Sequence, residues 1–239
     1  MKKSLVWFGV FCCLASSAQQ GWYVESKTET KMMGMTVSTM NGKIWSKGDK
    51  CLMEMETSPA KYTMRNLTIG DQETMTMGSD CYQDTKENIL KTREEKATIE
   101  NINVKKVNDT KKILGYLCKK AIITYDAKSQ FGTMGTENEV WYTDELKSEG
   151  DAVGSQAGSE TGRAYLAAIK ELGVILVTET TVKSAKTKSS TTVTKIEKLE
   201  IPDEKFQIST DQCKKVMNYA DYQKEMDKRQ RQSSAAFGH

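Results

Sequence analysis

Residues 51–77 read CLMEMETSPAKYTMRNLTIGDQETMTM, and this stretch decides the fold. Runs at 51–57, 61–68 and 74–77 alternate Leu, Met and Thr with charged residues, the pattern of half-buried strands. Ser58-Pro59-Ala60 and Gly70-Asp71 supply the turns between them. A strand roughly every ten residues, with connections too short for a crossover helix, predicts an antiparallel meander rather than βαβ units. Residues i and i+2 of a strand share a face. Met53-x-Met55 and Met75-x-Met77, with Met64 between them, therefore predict a methionine-lined surface; alternation alone would also place methionine as ordinary apolar filling.

The same pattern extends outward. Strands are expected at 22–31 and 35–45, with a turn at Lys47-Gly48-Asp49, and again at 103–107, 117–126 and 137–143. Residues 79–96 are charged and compatible with a helix, and 148–162 form a Gly/Ser/Glu loop without apolar period. Tyr165, Ala168, Ile169 and Leu172 fall at helical spacing, so 162–172 is expected to be a helix closed by Gly173. The apolar run 174–177 opens a long strand, and the polar hairpin KTKSST leads to a partner at 191–199. There Val193 and Ile196 break strict parity, which predicts a bulge or one weak register. Pro202 ends that strand, and 213–231 is read as a final helix. The sum is an α+β fold: a curved antiparallel sheet with one or two helices covering one face. The division is a signal peptide at 1–18, one antiparallel domain at 19–212, and a C-terminal helix and tail at 213–239.

Lys2 and Lys3, the apolar LVWFGVFCCLA and the small residues Ser16-Ser17-Ala18 form a cleavable secretory signal, too short to span a bilayer. The expected location is periplasmic or secreted, with no transmembrane segment. Cleavage removes two of 35 basic residues against 32 acidic ones, and that near-parity argues against nucleic acid as a partner. The remaining cysteines, Cys51, Cys81, Cys118 and Cys213, are disulfide candidates in an oxidising compartment; their three possible connectivities stay open. They match no zinc spacing. The one histidine, His239, ends the chain, so neither a Ser/His nor a Cys/His pair is plausible. HExxH, Walker and GxGxxG motifs do not occur. The reading is a non-enzyme with no catalytic residue, no cofactor and no dedicated metal site.

Residues 115–121, GYLCKKA, open a strand, and 140–146, VWYTDEL, close another. Gly115-Tyr116 marks a turn, and Ala121, Ile123 and Tyr125 share a face with Leu117 and Lys119. Lys119 and Lys120 are expected to be solvated, blunting an edge. Cys118 points the other way; with no histidine to activate it, a disulfide role is expected before a nucleophilic one, and Cys118 is the expected first participant in a bridge. These residues resemble an exported bacterial family, domain-of-unknown-function family 4412. Leu117 stands where that family commonly has lysine. The resemblance implies an architecture similar to periplasmic lipoprotein carriers, an antiparallel half-barrel holding an apolar cavity under helices, and it implies no catalytic residue.

Methionine is flexible and polarizable, so a concave sheet lined by Met53, Met55, Met64, Met75 and Met77 suits an apolar small molecule or lipid. Trp45, Tyr62 and Trp141 are placed at its rim or lining. Two alternatives accompany this reading. Thioethers select Cu(I) or Ag(I), so the Met-x-Met pairs could bind a soft metal if three or four sulfurs converge. The chain could also be a structural or interaction protein of the envelope, its strands pairing with a protein partner.

Overall fold

The computed structural model describes residues 20–129, 132–146, 163–182 and 184–236. The expected signal at 1–18, the whole Gly/Ser/Glu loop at 148–162 and the end of the tail fall outside them. Among the described residues, twelve strands form one sheet that does not close on itself, in the order β12-β6-β5-β4-β3-β2-β1-β11-β10-β9-β8-β7. The strands are β1 (Gln20–Met32), β2 (Met35–Lys47), β3 (Lys50–Ser58), β4 (Thr63–Ile69), β5 (Gln72–Met77), β6 (Asp80–Thr85), β7 (Ala97–Ile113), β8 (Tyr116–Ser129), β9 (Gly132–Thr143), β10 (Val174–Val182), β11 (Thr187–Glu200) and β12 (Lys215–Met217). Helices α1 (Lys86–Lys96), α2 (Arg163–Ile169) and α3 (Tyr219–Ala236) complete it. All neighbours are antiparallel except β12, which runs parallel to β6. The curved antiparallel α+β sheet expected from the alternation, and the half-barrel that the resemblance implies, are the observed architecture.

Register sorts the side chains of β1–β6 into two faces. One cross-strand row runs Val24, Ile44, Met53, Asn66, Met75, Tyr82. The row beside it runs Gly42, Met55, Met64, Met77, Asp80. The opposite face carries Tyr23, Trp45, Leu52 and Leu67. Ile201, Phe206 and Ile208, from the chain after β11, cover that opposite face. Helices α1 and α3 cover the β5–β6 end of the first face, where Ile89, Tyr219 and Tyr222 pack on Met75 and Tyr82. Helix α2 seals the other end, with Tyr165 and Ile169 against Ala121, Ile123, Val140 and Tyr142. Gly173, at φ +74, turns the chain out of that helix where an added Cβ would meet the Thr143 carbonyl oxygen at 2.5 Å.

The bulge expected from Val193 and Ile196 is present. Ser26 pairs with Val193 and Glu25 with Lys195, so Thr194 is the extra residue. Val193 lies within, and Ile196 packs against, the same central cluster of Val24, Ile44, Val174 and Leu176.

Three expectations are corrected. Residues 79–96 are not helical throughout: β6 occupies Asp80–Thr85, held between β5 and β12, before α1 begins. The strand expected at 103–107 is the middle of β7, whose 17 residues run from Ala97 to Ile113. The helix expected from 213 starts at Tyr219, because Lys215–Met217 hydrogen-bonds to β6 and Asn218 caps the helix. The Asn218 Oδ1 accepts from Asp221 N at 2.8 Å, and its Nδ2 donates to Asp221 Oδ2 at 3.0 Å.

Candidate functional site

The five methionines singled out by their spacing lie together. β3, β4 and β5 are consecutive strands, and Met53, Met55, Met64, Met75 and Met77 all occupy the same face of them. Met75 is buried, and the other four are half-buried. Their surroundings differ. Met53 packs against the central cluster; Met64 and Met77 pack beside Met75 against the tyrosines of α3. Met55 belongs to none of the core clusters of the described residues, although its neighbours across the sheet are Gly42 and Met64. Two core regions thus flank a thioether strip whose midpoint, Met55, is half-buried and joins none of the core clusters of the described residues.

Helix α3 forms the wall above this strip. Tyr82 meets Tyr219 edge-on with centroids 4.9 Å apart, and Tyr222 at 5.2 Å. Arg93 Nε and Gln223 Nε2 both donate to the Tyr219 hydroxyl, at 3.1 and 3.0 Å. Beneath them, Tyr82 donates to Glu73 Oε1, which also accepts from Asn66 Nδ2 at 2.9 Å. Burial, and then the Glu73 charge, push the Tyr82 phenol far above its ordinary value, so it stays a protonated donor. Burial likewise raises Tyr222. The wall is pinned at three points. Cys81 and Cys213 form a disulfide with Cα atoms 5.8 Å apart. Arg229 Nη1 donates to both Asp80 oxygens at 2.9 and 2.8 Å, and the Tyr219 amide donates to Asp84 Oδ2 at 3.0 Å.

The aromatic residues expected at the rim are dispersed. Tyr62 stands at the β3–β4 connection, 45% exposed and within electrostatic reach of Tyr222, at the edge of the strip. Trp45 is on the opposite face, 5.2 Å from the Tyr23 ring and 3.6 Å below Lys205 Nζ. Trp141, on β9, packs against the same central cluster as Met53, with Lys111 Nζ 3.9 Å over its ring. Of the three, only Tyr62 borders the strip.

The cysteines are also sorted. Cys81 and Cys213 bridge; Cys51 is half-buried and Cys118 buried, both outside the disulfide. Cys118, expected as the first participant, is instead a core side chain of the central cluster, and burial pushes its thiol up, toward the unreactive form. The lysines beside it do not guard an edge, because β8 is an internal strand. Lys119 pairs with Asp144 at 2.7 Å and Lys120 with Glu139 at 2.5 Å, while Leu117 N donates to Glu145 Oε1 at 2.9 Å. GYLCKK and VWYTDEL therefore occur together because they form one polar-paired ladder. The turn before β8 is real: Leu114 and Gly115 take φ +53 and +90.

Sequence reasoning missed Tyr82, Tyr219, Tyr222 and Met226. A signal existed for the last three, at the i, i+3, i+7 spacing of an amphipathic helix. Two hollows of about 400 and 290 Å³ lie elsewhere, on β7–β9. Thr124, Asp126 and Glu137 line the first, and Lys106, Asp109, Lys119 and Asp144 line the second. Neither is lined by methionine. Among the described residues, no three His, Cys, Asp or Glu side chains are placed to hold a metal ion, and no helix is long and apolar enough to cross a membrane.

No family model matches this chain, so its likeness to family 4412 remains a resemblance. No curated protein matches it either. Several solved structures are similar in outline. A DUF1329 family protein from Desulfovibrio piger shares 8% identity over 80% of this chain and 91% of its own, at a TM-score of 0.35. A LolA superfamily protein from Nitrosomonas europaea shares 10% over 80% and 91%, at 0.34. A protein from Bacteroides fragilis with a YmcC-like fold shares 11% over 75% and 96%, at 0.34. At these scores the likenesses stand as observations alone.

Proposed function

We propose that this is an exported, non-catalytic protein that binds an apolar ligand, a lipid or other acyl chain, along the methionine strip of β3–β5. The observation that carries the reading is Met55: a thioether in line with Met64 and Met77, yet packed into none of the core clusters of the described residues. Flexible thioethers conform to chains of varied shape, and the tyrosine wall of α3 would hold one side of such a chain. In this reading 1–18 directs export, 19–212 forms the binding sheet, and 213–239 supplies its cover.

The polar lattice beneath supports a binding rather than a catalytic role. Tyr82 and Asn66 both donate to Glu73, which leaves that carboxylate engaged as an acceptor. Pairing with a partner strand is less favoured, because the β7 edge is interrupted by register shifts at Glu100/Asn103 and Val107/Thr110. The test is native mass spectrometry of protein purified gently from its own compartment. A co-purifying lipid supports the proposal. A Cu(I) or Ag(I) adduct without lipid would replace it with the soft-metal reading.

A further inference from the structure

The tip of the β1–β2 hairpin has a composition that neither the core nor the strip explains. Met32, Met33, Met35 and Val37 are 46%, 72%, 69% and 45% exposed. Met32 and Met35 face each other across the hairpin, and Met33 with Gly34 makes the turn. A register shift at Thr30/Lys31 leaves Val37 as the extra, outward residue. None of the four packs into a core cluster of the described residues.

The β10–β11 hairpin lies alongside and adds charge. The Met33 amide donates to the Lys186 carbonyl at 3.3 Å, and Lys31 pairs with Lys188 across β1–β11. Lys31, Lys186 and Lys188 are all exposed, and neither 30–38 nor 184–189 contains an acidic residue. The chain as a whole is nearly balanced, 35 basic against 32 acidic residues, so this basic collar is local. Exposed apolar side chains ringed by lysines, with the nearby Glu29 already paired to Lys27 at 2.7 Å, complement an anionic bilayer surface, where the apolar groups enter the acyl–headgroup boundary and the ammonium groups rest on phosphate.

We infer that the paired hairpin tips dock this protein on anionic lipid membranes, with Met33 and Met35 inserted and Lys31, Lys186 and Lys188 on the lipid phosphates. Docking needs no occupant on the methionine strip, so it stands or falls separately from the proposed ligand. The experiment is flotation of the full mature chain with vesicles of phosphatidylglycerol and phosphatidylcholine, compared with phosphatidylcholine alone. The wild type should float with the anionic vesicles only. M33D/M35D should lower the partition coefficient by at least about tenfold, since two apolar insertions become charges. K186Q/K188Q should lower it roughly fivefold per lysine removed. A Met33→Trp reporter should shift to the blue on binding and be quenched by brominated acyl chains. All these changes fall on exposed residues at the tips of the two hairpins, and unchanged circular dichroism would confirm that the fold is kept. No flotation with anionic vesicles, or flotation that M33D/M35D retains, overturns the inference. So does a wild type that dimerises through the tip, or binds Ag(I) there, while leaving vesicles alone.

Discussion

Removing the Cys81–Cys213 bridge should unlatch the C-terminal wall before it unfolds the sheet. The perturbation is the double change C81S/C213S, which leaves Cys51 and Cys118 untouched. The bridge closes a sequence separation of 132 residues. Chain-entropy closure of that length is worth about 5 kcal/mol as an upper bound, and native bridges commonly deliver about 2–4. At about 2–4 °C per kcal/mol for a chain of this size, the melting temperature should fall by roughly 5–15 °C. The loss should be uneven. Without the bridge, β12 and α3 are held by three backbone pairs to β6, the Arg229–Asp80 pair, the Tyr219–Asp84 hydrogen bond and the tyrosine cluster. Calorimetry gives the global change, and hydrogen exchange locates it: amides of 215–236 should exchange faster at temperatures where β1, β2 and β11 remain protected. A melting temperature lowered by less than about 2 °C, with unchanged exchange in 215–236, would refute the assignment of the bridge as the latch.

Other outcomes follow from single residues. Tyr222→Ala removes a buried ring from the wall; local stability of α3 should drop by about 3–5 kcal/mol, read as faster exchange in that helix, while the β8–β10 amides hold. Asp84 is held below its ordinary carboxyl value of 3.8: burial opposes this, but the Asn88 side chain and the Tyr219 and Thr85 amides outweigh it. Its contribution is therefore present above 3.8 and lost as pH falls through the depressed value, so α3 exchange should accelerate on acidification and Asp84→Asn should flatten that response. Gly115→Val, at φ +90, should cost about 1–3 kcal/mol by denaturant melting, whereas Lys119→Ala, breaking an exposed pair, should cost less than about 1.

What was legible in the chain is what period-two alternation and local turns encode. The meander at 51–77, the shared face of its five methionines and the bulge at Val193/Ile196 each depend on a few neighbouring residues. What escaped depends on distant ones. Trp45 was placed on the methionine side, but its face follows from register: it pairs with Leu52, not Met53, and a one-residue slip would reverse it. β6 looked helical because its charged sequence conceals two strand partners, one of them β12, which follows a disulfide that spans 132 residues. Lys119 and Lys120 looked like edge residues because nothing local announces that Glu139 of β9 and Asp144 just after it arrive beside them. Cys118 looked like a bridge half because four cysteines left after an expected export signal raise that expectation, and burial in the central cluster is a tertiary property. The C-terminal tyrosines were readable, since Tyr219, Tyr222 and Met226 fall at helical spacing, but their target, the methionine strip, was not.

The measurement that bears most directly on the central claim is titration of the protein with a fluorescent fatty acid, run on three chains in parallel. The first is the wild type, the second Met55→Asp, and the third carries leucine at positions 53, 55, 64, 75 and 77. A charge at Met55 against an acyl chain costs on the order of several kcal/mol, comparable with the ~8 kcal/mol of a micromolar site, and this residue can change without opening a core cluster. Leucine keeps the apolar volume but removes every sulfur of the strip. The account predicts saturable binding by the wild type, binding within a fewfold of it by the leucine chain, and loss of binding by Met55→Asp with an unchanged circular dichroism spectrum. Failure of the wild type to bind any acyl probe, together with Cu(I) binding that disappears in the leucine chain, would contradict it.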